Sequence, residues 1–80
     1  MSTPPHEVLE AARRQAGMTF QDLWIAYFAL GGTAHPEKVR AYLGGRVAPS
    51  MDYDVIAHAI NERFADQGEN HPVPYRDELR

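Results

Sequence analysis

Apolar residues recur at three- and four-residue spacing in four stretches of the chain, each bounded by Gly, Pro, Ser or Thr, and no stretch alternates in polarity as a half-buried strand would. A first helix is predicted over 4–16. It opens at Ser2 or Thr3, carries Pro4 in its first turn and closes at Gly17. Val8, Leu9, Ala12 and Ala16 share one arc of it, and Glu10 is spaced to pair with Arg14.

The second helix, predicted over 20–30, has the most sharply marked start. Thr19 can cap it, Asp22 occupies the third helical position, and Met18 and Leu23 are spaced as a hydrophobic staple. Phe20, Leu23, Trp24, Tyr27, Phe28 and Leu30 fall within an arc of about 160°, which makes this the expected core helix. Its reverse side carries Gln21, Ile25, Ala26 and Ala29, with Asp22 as the only charge. That side also calls for a cover, either another helix of the chain or a second molecule.

Gly31-Gly32 ends the second helix. Pro36 restarts the chain as a short third helix over 36–43, capped by His35 or Thr33, with Val39, Tyr42 and Leu43 inward and Glu37, Lys38, Arg40 and Ala41 outward. After Gly44-Gly45 and the loop Arg46-Val47-Ala48-Pro49, Ser50 can cap a fourth helix over 51–66 whose buried stripe is Tyr53, Ile56, Ala57, Ile60 and Phe64. The fold expected is all-α, a small four-helix orthogonal bundle. A single domain over 1–68 would be followed by a tail over 69–80, mobile or lying extended as a strap, because that segment holds two prolines and little apolar content.

Composition narrows the picture further. Eighty residues bury only about 60% of the unfolded surface, and with no cysteine the chain has neither disulfides nor thiolate metal ligands, so packing alone must hold it. No apolar run reaches the length of a membrane span and residues 1–7 lack the pattern of a signal peptide, so a cytoplasmic location without membrane association is expected. Abundant Ala, Arg, Gly and Pro suit a GC-rich, bacterial coding sequence.

Catalytic motifs are missing: there is no Gly-rich phosphate loop, nucleophile elbow or paired metal motif. A non-enzyme without cofactors is expected. The nearest approach to a site is Asp54, His58 and Glu62 at i, i+4 and i+8, a weak metal candidate that falls short of the usual ligand number. Met51 and Val55 lie beside this stripe and off the apolar arc, either under the 47–49 loop or on a docking surface.

Two functions compete. The second helix, the Gly-Gly-Thr-Ala connection and the third helix resemble a helix-turn-helix, with Phe28, Ala34, Val39 and Tyr42 at the apolar positions and Ala29 at the small one. The resemblance implies DNA binding through Lys38, Arg40 and Arg46. Against it, the glycines fall early, Thr33 stands where glycine is usual, and residues 1–68 hold six basic against eight acidic groups. A dimer could still gather Arg13, Arg14, Lys38, Arg40 and Arg46 on one surface. The preferred reading is a non-catalytic helical protein-interaction module, a bacterial accessory regulator. It would act by helix docking or homodimerisation through Ile25, Ala29, Met51 and Val55.

Overall fold

The computed structural model describes residues 3–46, 53–70, 72–75 and 78. It is all-α, with no strand among the described residues: α1 Pro5–Gln15, α2 Phe20–Ala29, α3 Pro36–Leu43 and α4 Tyr53–Asp66. Where they can be compared, the ends lie within a residue of those expected. Ser50, Met51 and Asp52, expected to open the fourth helix, lie outside the described residues. Pro4 stands one place earlier than expected, as the N-cap of α1, leaving Pro5 at the first helical position, where a missing N–H costs nothing. His35 occupies the N-cap position of α3 without a side-chain cap bond.

Local chemistry fixes the start of α2. Thr19 Oγ1 accepts the Asp22 N–H at 3.0 Å and the Asp22 carboxylate accepts the Thr19 N–H at 3.1 Å, a reciprocal capping box. Met18 and Leu23 are both buried, as the staple requires. These bonds, backbone first, hold the Asp22 carboxyl below the ordinary carboxylate range.

α1 and α2 each pack on both α3 and α4. The core draws Leu9, Ala12 and Ala16 from α1 and its end, Leu23 and Tyr27 from α2, Val39, Tyr42 and Leu43 from α3, and six apolar residues between Tyr53 and Phe64 of α4. Two expectations for α2 are corrected: Phe28 and Leu30, expected inside, are exposed. Leu23 and Tyr27, four apart, point at the core. Their common direction is turned by about 40° from the centre of the apolar arc, which carries Phe28 out of contact. Leu30 follows the last helical residue, where the chain turns away into Gly31 and Gly32.

Tyr27 is the pin of this arrangement. It has no exposed surface, its hydroxyl accepts the Ala34 N–H at 2.9 Å, and its carbonyl accepts the Gly32 N–H at 3.0 Å. A side chain at Gly32 would overlap the Tyr27 ring, so a residue without Cβ is what lets the turn close on it. The Trp24 indole N–H donates to the Ala34 carbonyl at 3.3 Å, a second tie between α2 and the turn before α3.

Beyond α4, residues 72–75 lie as a strap against that helix. Val73 is fully buried, and Asn61, the buried polar residue of α4, binds its backbone twice. The Asn61 Nδ2 donates to the Val73 carbonyl and the Val73 N–H donates to Asn61 Oδ1, each at 3.0 Å. The Tyr53 hydroxyl donates to the Pro74 carbonyl at 2.8 Å; burial pushes that phenol up to about 12, which keeps the donor protonated. At the other end of α4, Gln67 Nε2 donates to the Ala16 carbonyl at 2.9 Å and joins the ends of α1 and α4.

Two substitutions test these ties. Gly32→Ala is expected to destabilise by about 1–3 kcal/mol through overpacking against Tyr27. Asn61→Ala should cost about 1–3 kcal/mol by removing two buried hydrogen bonds to the Val73 backbone. Urea unfolding midpoints measure both, and a midpoint unchanged from the parent would refute the corresponding contact.

Candidate functional site

Because Leu23 and Tyr27 take the core, the opposite side of α2 is left as an apolar ledge. Ile25 is 55% exposed and Phe28 61%, and Ala29 is exposed beside Ile25. Trp24, half-buried, stacks on Phe28 with ring centroids 5.3 Å apart and planes 19° from parallel. With its indole N–H held by Ala34, Trp24 gives the exposed Phe28 ring a fixed backing. The last turn of α2 carries no basic residue, and no charged side chain interrupts the stretch from Leu23 to Leu30.

Of the residues expected to form a docking surface, Ile25 and Ala29 therefore share this ledge. Val55 is half-buried and packs against the core, and Met51 lies outside the described residues. Phe28 is the member that the spacing placed in the core, and Leu30, also expected inside, is exposed at the end of the helix. Both lie on the strongest apolar arc of the chain, and nothing in the spacing alone says how far the helix is rolled about its axis.

The basic residues are distributed unexpectedly. Arg13, Arg14, Arg40 and Arg46 line one cleft of about 370 Å³ within a single chain, together with Glu10 and Phe20. α1 brings Glu10, Arg13 and Arg14, α3 brings Arg40, and Arg46 follows the end of α3, its N–H donating to the Ala41 carbonyl at 2.9 Å. No second molecule is needed to bring these four together; Lys38 is exposed and does not line the cleft.

Within the cleft the arginines differ. Arg13 is committed to the fold, donating to both Glu10 oxygens at 2.8 and 2.6 Å and to the Met18 carbonyl at 2.7 Å. Arg14, the expected partner of Glu10, approaches it only to 3.4 Å and is largely exposed. The Arg40 guanidinium lies over the Phe20 ring, 4.1 Å from its centroid. Hydrogen bonding from Arg13 holds the Glu10 carboxyl below its ordinary value, so that carboxylate stays ionised.

The helix-turn-helix positions separate in the structure. Val39 and Tyr42 are buried and Ala34 half-buried, whereas Phe28 and Ala29 face outward. The Asp54, His58 and Glu62 side chains all lie on the exposed side of α4. His58 Nε2 is 3.3 Å from Glu62 Oε2, and its Nδ1 is 3.2 Å from the Tyr75 hydroxyl, so both ring nitrogens already have neighbours. Among the described residues no group of three His, Asp or Glu side chains is placed to hold a metal ion, and no helix is long and apolar enough to cross a membrane. No family model matches this sequence, and no curated protein or solved structure matches it significantly.

The lowered carboxyls of Glu10 and Asp22 set the acid limb of stability. Folding favours their ionised forms, so their contribution is present above the unfolded values, about 4, and is lost as pH falls through the folded ones. Thermal melts between pH 7 and pH 2.5 should therefore show falling stability below pH 4, with a shallower fall in Glu10→Gln. An identical acid slope in that variant would contradict the Glu10–Arg13 assignment.

Proposed function

We propose that this chain is a small helical protein-interaction module, an accessory regulator without catalysis of its own, that docks through α2 with a second copy of itself. The observation that carries the reading is the exposure of Ile25 and Phe28 beside Ala29 on a helix face whose one charge is Asp22 in its first turn. A small residue beside two large ones lets another helix approach closely, and one apolar patch presented by both copies suits two-fold pairing. The size of the chain supports the same choice, since eighty residues without cysteine gain stability from a partner.

The expected strength is modest. Covering the exposed parts of Ile25 and Phe28 is worth about 1–2 kcal/mol per side chain, and the cost of association offsets much of that gain, so pairing is expected toward the upper end of the accessible protein concentrations. Duplex DNA recognition through α3 draws less support. Arg40 is turned onto Phe20, and Phe28 and Ala29 do not enter the angle between the two helices that the motif would fill.

Light scattering across about 10 µM to 1 mM protein should find the mass rising from 9.0 kDa toward twice that value. Ile25→Glu and Phe28→Glu should remain at the monomer mass while keeping the helical circular dichroism of the parent, because neither side chain belongs to the core. A mass that stays at 9.0 kDa throughout, or variants that associate as the parent does, would overturn the proposal.

A further inference from the structure

We infer that the arginine cleft between α1, the start of α2 and the end of α3 is a binding site for a small phosphorylated ligand carrying two linked phosphates. This inference is independent of pairing through α2. Half of the chain's eight basic residues line the cleft. With Glu10 as the one acid there, the cleft holds four positive charges against one negative, a net of +3. The remaining residues hold four basic against ten acidic groups, a net of −6. Such concentration of positive charge on an acidic chain is not the pattern of a solvated face with mixed signs.

The cleft is also built. Glu10 and Arg13 neutralise each other through two hydrogen bonds and form its fixed wall. That leaves Arg14, Arg40 and Arg46 as the cations available to a ligand. No carboxylate of the described residues lies within ion-pair distance of Arg40 or Arg46, and Arg14 has only the long contact to Glu10. Arg40 is oriented by its face on the Phe20 ring, a contact that uses the guanidinium plane and leaves its N–H edge free to donate. Arg46 follows Gly45, whose φ of +76° makes the turn, while a side chain at Gly45 would press on the His6 ring. Its backbone bond to Ala41 anchors it at the helix end.

Charge and volume together choose the ligand. Three available guanidiniums match two linked phosphates, about −3 at neutral pH, better than one phosphate monoester at about −2. A volume of about 370 Å³ is that of a small-molecule site. A nucleic acid would bring its phosphates along an extended surface and meet the net negative charge of the rest of the chain. Phe20 and Leu43 supply apolar lining for the organic part of a diphosphate ester.

The test is calorimetric titration of the full chain with inorganic pyrophosphate at low ionic strength, beside citrate and a short DNA duplex. Pyrophosphate is expected to bind one per chain. Arg40→Gln and Arg46→Gln should each weaken binding at least about tenfold, and Lys38→Gln, on the same helix but outside the cleft, should leave it within about twofold. Arg46 is exposed and its side chain bonds to none of the described residues, so its variant tests the site even if Arg40→Gln disturbs Phe20. Absence of pyrophosphate binding, equal loss in Lys38→Gln, citrate binding as tightly as pyrophosphate, or tighter binding of the duplex would each overturn the inference.

Discussion

Tyr27 sets the roll of α2, and the roll of α2 decides what this molecule offers to its surroundings. A phenol with no exposed surface must find a partner for its hydroxyl, and here the partner is the Ala34 N–H beyond the turn. The ring in turn occupies the space that a side chain at Gly32 would fill. One residue thus closes the α2–α3 turn, fills the core and fixes the helix about its axis. With Tyr27 inward, Ile25 and Phe28 have nowhere to go but outward, and their exposure follows from core geometry.

The same placement organises the charged side of the molecule. α3, fixed by the turn, lies against α1, so Arg40 and Arg46 meet Arg13 and Arg14 across a cleft although the twenty residues 16–35 separate the two helices in sequence. The Glu10–Arg13 pair keeps this gathering from being a purely repulsive cluster, and the face of Phe20 holds a third guanidinium. The apolar ledge and the basic cleft are therefore separate products of one arrangement: α2 contributes the outward face to the first and its opening residue, Phe20, to the second.

Much of this was legible in the sequence wherever a local rule operates. The capping box at Thr19 and Asp22, the prolines opening α1 and α3, and the stripe of α4 depend only on neighbours within a few residues. What could not be read is what tertiary contact decides. α2 has large apolar residues over so wide an arc that periodicity cannot tell which of them face the core, and Phe28 and Leu30 fall on the losing side. The arginine cleft needs the packing of α1 on α3, which no local spacing encodes. Asn61 lies four residues after Ala57 and three before Phe64, on the buried stripe; a polar residue there was a sign that backbone from elsewhere must come to meet it, as Val73 does.

The central claim is that core placement of Tyr27 leaves a ledge of α2 for a second copy to cover. Trp24, the single tryptophan of the chain, stands at the edge of that ledge against Phe28 and reports on it directly. Its fluorescence should shift to shorter wavelength as protein concentration rises from about 1 µM to 1 mM, and the shift should be absent in Ile25→Glu. An emission maximum that does not change with concentration in the parent chain would contradict the account.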